Sequence, residues 1–202
     1  MASGDRAGGE NLDKDKGDGA ARIQPRRSFI FVPGLKPEMF PKALASGSDI
    51  VCVELEDGIA PKDKAAARAK ALALFADRQA AYPEGDDGVE RILRINDLES
   101  DFGKADVEGL VESPCPPPAL MLPKVNGPEE VRQLDTLLCE CGHPTRLHVI
   151  IETNAGLEAA QEIARASTRI DALFFGGIDM AAELRCKSAW EPLLYARSRV
   201  VH

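Results

Sequence analysis

Six short apolar runs recur along the chain, nearly all followed by a stretch with helical spacing, and this alternation constrains the fold more than any other feature. The runs are SFIFVPG from Ser28, DIVCVELED (Asp49–Asp57), RILRIND (Arg91–Asp97), ALMLPKV (Ala119–Val125), HVIIET (His148–Thr153) and DALFFGGID (Asp171–Asp179). Between them, Met39, Ala43 and Leu44 share a face in a helix predicted from Pro37 to about Ser46, with Gly47 as its stop. An alanine-rich helix is predicted over about Lys62–Asp77. Another starts at Pro128, a residue suited to a first helical position, and carries Val131, Leu134 and Leu138 at helical spacing. A single helix bearing Leu157, Ala160 and Ile163 or Ala164 follows the fifth run, and a last one lies near Pro192–Val201.

Strands that are apolar almost throughout, each followed by a helix, read as a parallel sheet covered by helices. A doubly wound sheet and a (β/α)8 barrel both have that pattern. Polar residues at the C-terminal ends of the runs favour the barrel: Glu56 and Asp57, Arg94 and Asn96, Lys124, Glu152 and Asp179. A barrel gathers all strand ends at one mouth, whereas an open sheet concentrates its site at one switch point. With 202 residues and six runs, the expected fold is an incomplete barrel of TIM type with about six β/α units. Residues 1–25, rich in Gly, Asp and Lys, are expected to form a disordered tail ahead of a barrel domain over 26–202.

The net charge of −8 argues against a nucleic-acid or anionic-membrane partner. No stretch approaches the ~18 consecutive apolar residues of a membrane span, and the first twenty residues lack the apolar run of a signal peptide. An odd count of five cysteines suits reduced thiols in a cytoplasmic compartment, with an organelle matrix as the secondary alternative. Cys139 and Cys141 are too closely spaced for a usual zinc site. Gly176-Gly177 lacks the spacing of a dinucleotide or phosphate loop and points to a close backbone approach or a tight turn.

Glu152 and Asp179 each close a run, and two carboxylates on consecutive strands can share a hard cation such as Mg²⁺, although acids are also common where strands meet water. Arg94, between Leu93 and Ile95, needs a partner if buried. A substrate carboxylate and an internal ion pair with Glu54 or Glu56 answer that need equally well. Glu54, Glu56 and Asp57 would repel one another unless a cation or hydrogen-bond donors sit among them. Asp57 also suits a cap of the following helix. Lys124 could form a Schiff base or pair with the nearby acids, and nothing local marks a lowered pKa.

Taken in order, RSFIFVPG, LEDGIAPKDKAAAR, LRIN, LPKV, IETNAGL, FFGGIDMAAEL and LLYARSRVV resemble the citrate lyase β-subunit-like family, which belongs with the HpcH/HpaI aldolases and includes malyl-CoA, citramalyl-CoA and citryl-CoA lyases. IETNAG, with Asn154, leans toward the malyl-CoA or citramalyl-CoA type. The resemblance, over about 26–202, implies a Mg²⁺-binding barrel that cleaves a 3-hydroxyacyl-CoA to an acyl-CoA and a 2-oxo acid by retro-Claisen or aldol chemistry. It implies Glu152 and Asp179 as metal ligands and Arg94 as the carboxylate-binding arginine. Glu56 and Asp57 match acids that hold metal-bound water, and Lys124 a substrate-side lysine that forms no Schiff base. Relatives continue through two more strands and a lid whose acid serves the enolate step at a neighbouring subunit. The resemblance therefore implies a C-terminally truncated chain with little lyase activity alone, and a homo-oligomer for a full-length form. A non-catalytic remnant that binds a ligand or partner, and a CoA-independent 2-oxo acid aldolase, are the alternatives.

Overall fold

A computed structural model describes residues 24–82 and 88–202. Its six strands are β1 (Phe29–Pro33), β2 (Ile50–Glu54), β3 (Glu90–Arg94), β4 (Ala119–Leu122), β5 (Arg146–Ile151) and β6 (Ile170–Phe175). All five pairings are parallel and join consecutive strands, in the order β1-β2-β3-β4-β5-β6. That order has no switch point, which excludes the doubly wound alternative. A flat sheet would hold β1 and β6 about 24 Å apart, at ~4.8 Å per strand. Instead the rings of Phe29 on β1 and Phe174 on β6 meet edge to face at 5.9 Å. The sheet is therefore rolled into an open barrel, as the incomplete (β/α)8 expectation requires.

The helices are α1 (Phe40–Leu44), α2 (Lys64–Ala76), α3 (Arg78–Ala81), α4 (Asp101–Val111), α5 (Pro128–Glu140), α6 (Asn154–Glu158), α7 (Ala160–Ala164), α8 (Gly177–Glu183) and α9 (Leu194–Val201). Alternate strand residues divide the core in two. Val51, Val53, Leu93, Leu120, Leu122 and Val149 face outward and pack with Ala67, Ala71 and Leu74 of α2 and Val131, Leu134 and Leu138 of α5. Ile50, Cys52, Ile92, Ala119, Met121 and Ile150 face inward, with Phe174 against them. Both faces of β2 and β4 are buried along their whole length, which explains their unbroken apolar sequence.

Several sequence-level boundaries need correction. Strands end earlier than their apolar runs, at Glu54, Arg94 and Leu122, so the polar residues after them belong to loops at the mouth. Asp179 does not close β6 and is the third residue of α8. The single helix expected after β5 is two short ones, broken at Ala159. Helix α4 was not anticipated; its signals are Ser100, whose side chain accepts from Gly103 N–H as a cap, and Asp101 in the first turn. Of the expected tail, residues 1–23 lie outside the described residues, while Gln24 donates to the Gly88 carbonyl at 2.9 Å.

The N-terminal mouth is closed by ion pairs. Arg26 donates through Nε and Nη2 to the two oxygens of Glu90 at 2.7 and 3.0 Å, and its Nη2 lies 3.7 Å from Asp171. Arg146 spans both oxygens of Asp171. Buried His148 places Nε2 2.9 Å from Glu90 and stacks on Phe174.

Candidate active site

The C-terminal ends of β2, β3, β5 and β6 open on a cavity of about 370 Å³ lined in part by Arg94, Glu152, Asp179, Phe31 and Phe174. Each side chain is placed by its strand. Glu54 and Arg94 are register partners on β2 and β3 and face inward together. Arg94 Nε donates to Glu54 Oε2 at 2.5 Å, and Nη1 lies 3.3 Å from Glu56 Oε2. The guanidinium rests on the Phe31 ring, 4.7 Å from its centroid. Of the two partners open to Arg94 at sequence level, the internal ion pair is thus present. It leaves Nη2 without a hydrogen bond among the described residues.

The three acids after β2 are separated by donors, as their repulsion demands. Glu56 N–H donates to the Glu54 carboxylate, and Lys124 Nζ pairs with Glu56 and, at 3.5 Å, with Asp57. Burial pushes the Glu54 carboxyl above the ordinary range, with Arg94 pulling it back. Burial alone would lower the Lys124 ammonium, but its pairs with Glu56 and Asp57 outweigh this and hold it above the usual lysine value. That is the opposite of what a Schiff-base lysine needs. Asp57 points to solvent and pairs with Lys124; no cap bond to the following helix is present among the described residues.

Glu152 follows β5 and is 3% exposed. Its Oε1 accepts from Lys124 N–H at 2.9 Å, and Lys124 adopts a left-handed φ of 54° to present that donor. Asp179, from the first turn of α8, lines the same cavity as Glu152. Burial, then the neighbouring Asp179 and Glu56, push the Glu152 carboxyl up to about 7 against the pull of the Lys124 N–H. No lysine or arginine side chain pairs with Glu152 or Asp179 among the described residues. The close approach expected at Gly176 is made to the Glu152 side chain: a methyl there would sit 2.3 Å from Oε2.

Lys64, Asp106 and Arg68 escaped the sequence reading. Their polar side chains sit beneath the mouth, joined to Asn96, in a network that no spacing rule reveals. Ligand-type atoms of Glu90, His148 and Asp171 also lie within 4.8 Å of one another. Both carboxylates there are already spanned by arginines, so this group closes the N-terminal face, where barrels build stability and not catalysis.

A family model described as HpcH/HpaI aldolase/citrate lyase matches residues 27–202. The L-malyl-CoA/beta-methylmalyl-CoA lyase of Cereibacter sphaeroides is 34% identical over an alignment of 174 residues that covers 82% of this chain and 52% of that protein. Among solved structures, RipC from Yersinia pestis is similar with a TM-score of 0.70 at 34% identity, covering 87% of this chain and 69% of that one. A Mycobacterium tuberculosis citrate lyase beta subunit complexed with oxaloacetate and magnesium gives a TM-score of 0.67 at 26% identity, covering 87% and 73%. The chain spans about half the length of the curated relatives it matches. No helix among the described residues is long and apolar enough to cross a membrane.

Proposed function

The chain belongs to the HpcH/HpaI aldolase/citrate lyase family, and on that premise we propose that it forms the metal- and oxo-acid-binding part of a Mg²⁺-dependent carbon–carbon lyase. The substrate class is a 3-hydroxyacyl-CoA of the malyl-CoA or citramalyl-CoA type, and the products are an acyl-CoA and a 2-oxo acid. One observation carries the reading: the buried Glu152 and adjacent Asp179 have no cationic side chain of their own, yet share a cavity with Arg94.

The donor set fits Mg²⁺. Two carboxylates with room for other oxygen ligands are a usual magnesium arrangement. When all are ionised, Glu54, Glu56, Asp57, Glu152 and Asp179 outweigh Arg94, Lys124 and Lys64 by two charges, which a divalent cation would neutralise. Glu56 Oε2 is buried without a hydrogen-bond partner among the described residues, 3.3 Å from Arg94 Nη1. Glu152 and Asp179 would hold the ion, whose chemistry there is Lewis-acid polarisation of the hydroxyl and carboxylate of the substrate.

The protein's own groups do the rest. Arg94, braced by Glu54 and Phe31, takes the substrate carboxylate on its free edge and stabilises charge that develops beside it. Glu56 and Asp57 orient the hydroxyl end through water. Lys124 holds those acids in place, and its N–H aims Glu152. As the hydroxyl proton passes to the water held by Glu56 and Asp57, the bond between the carbinol carbon and the thioester α-carbon breaks. Its electron pair passes to the thioester as an enolate, which a general acid protonates to give the acyl-CoA, and the carbinol carbon becomes the oxo carbon.

Calorimetry with Mn²⁺ or Mg²⁺, then with pyruvate or glyoxylate, tests the reading. The parent chain should bind one metal ion and then the oxo acid. The double variant Glu152→Gln/Asp179→Asn should bind neither. Unchanged metal binding in that variant would place the metal site elsewhere and defeat the assignment.

A further inference from the structure

Lys64 opens α2 and is only 8% exposed, although lysine is almost never buried without a reason. Its ammonium reaches back under the mouth and spends all three N–H groups. It donates to the carbonyls of Leu55 at 2.8 Å and Glu56 at 2.6 Å, and to Asn96 Oδ1 at 2.5 Å. Asn96 is itself fixed, because its N–H and Nδ2 both donate to Asp106 Oδ2, at 2.8 and 2.6 Å. Arg68, one turn after Lys64 on the same face of α2, donates to Asp106 Oδ1 at 2.7 Å. Each member of the chain orients the next, and none of them lines the cavity.

The carbonyls that Lys64 holds belong to the backbone that aims Glu56. From that backbone the Glu56 carboxylate reaches Lys124 and the neighbourhood of Arg94. We propose that Lys64 is a positioning residue: by clamping the end of β2 to Asn96 it sets Glu56 between Arg94 and Lys124, and so keeps one edge of Arg94 free for the oxo-acid carboxylate. This rests on the reading of Arg94 given above. Without the ammonium, the Leu55 carbonyl and Asn96 Oδ1 lose their donor, and the Glu56 carbonyl keeps only Ile59 N–H, at 3.0 Å. The Leu55–Glu56 peptides then turn toward other partners, and the Glu56 carboxylate turns with them. Glu152 and Asp179 stand on different elements, so the metal site is left in place.

Two measurements on the full chain test this. In calorimetry, Lys64→Met should weaken pyruvate roughly tenfold while Mn²⁺ affinity stays within about twofold; general loosening would move both together. In hydrogen exchange, the amides of Glu56 and Ile59, which close the loop after β2, should exchange at least about tenfold faster. The amides of α5 should keep the parent rate. Parent-like pyruvate affinity, or parent-like exchange at Glu56 and Ile59, in a folded Lys64→Met protein overturns the proposal. If the parent chain binds no oxo acid, the functional reading fails on its own, and exchange alone still decides the role of Lys64 in setting the loop. Should α5 also lose protection, marking a variant that does not fold, Asp106→Asn replaces it. That change loosens Asn96, and faster exchange at Glu56 and Ile59 supports the clamp while an unchanged rate overturns it.

Discussion

Replacing Gly176 by alanine probes the metal site with one methyl group. Gly176 joins β6 to α8 with φ −86° and ψ 80°, so the backbone asks nothing of glycine. The constraint is space: the new Cβ would lie 2.3 Å from Glu152 Oε2, 2.5 Å from Glu152 Cβ and 3.0 Å from Ile150 Cγ2. Carbon atoms rest at about 3.5–4 Å, so Glu152 must retreat by about 1 Å. Its Oε1 is tied to Lys124 N–H at 2.9 Å, and the retreat either breaks that bond or turns the carboxylate about it. Misplacing a working group by about 1 Å can cost on the order of a hundredfold. Mn²⁺ affinity should therefore fall by about ten- to a hundredfold, or about 1.4–2.7 kcal/mol. Overpacking adds about 1–3 kcal/mol of destabilisation. Calorimetric titration of Mn²⁺, with thermal unfolding to confirm a folded variant, reads both effects. Gly127→Ala, whose methyl meets nothing within 4 Å, serves as the neutral control. A folded Gly176→Ala protein with the parent's Mn²⁺ affinity would show that the ion does not depend on where Glu152 stands, and would refute the reasoning.

Arg94→Lys keeps the charge and loses the planar fork, so pyruvate or glyoxylate should bind about tenfold more weakly by calorimetry; equal affinity would leave Arg94 a purely structural ion-pair residue. At the other mouth, burial favours protonation of Glu90, but the bonds from His148 and Arg26 outweigh it and hold the carboxyl at about 2. A carboxyl lowered in the folded state contributes stability above about pH 4.5 that is lost as pH falls toward 2. Allowing for solvent screening, that contribution is about 1–3 kcal/mol. Urea unfolding at pH 7 and pH 3.5 should show a larger loss for the parent than for Glu90→Gln, and equal losses would count against the ion pairs. Borohydride added with pyruvate should leave Lys124 unmodified by mass spectrometry, because its paired ammonium is not a ready amine; a reduced adduct there would overturn that assignment.

The barrel was legible because its strands are apolar runs, with β2 and β4 buried on both faces. ALML and IVCV admit no polar residue, and their ends are marked by the first acid or lysine that follows. Glu152, Arg94 and Lys124 could be picked out for the same reason: each interrupts or terminates an apolar run. What stayed hidden lacks such contrast. Helix α4 carries Gly103 and Gly109, which weaken its periodicity, and only the Ser100 cap and Asp101 in the first turn mark it. The break at Ala159 falls among small residues that suit either one helix or two. Asp179 looked like a strand end because the apolar run continues past Phe175 into the first turn of α8. Lys64 reads as one charge among many in an alanine-rich helix, and its burial follows from the packing of α2 and α4 against the loops after β2 and β3, which pattern alone does not encode.

Because every strand pairs only with its neighbours in sequence, the sheet can be laid down in the order in which a ribosome delivers it. Each new strand finds its template in the one made just before. Lys64 and Asn96 can meet once α4 has emerged, so the side of the mouth that carries Arg94 takes shape early. The side that carries Asp179 must wait for α8. Among the described residues, the contacts of Phe29 with Phe174 and of Arg26 with Asp171 join the first strand region to the sixth strand; they become possible only once β6 is made and turn a growing ribbon into a curved wall. A slow codon or a chaperone acting before residue 170 would thus meet a polypeptide with half of its pocket already shaped and its curvature still free.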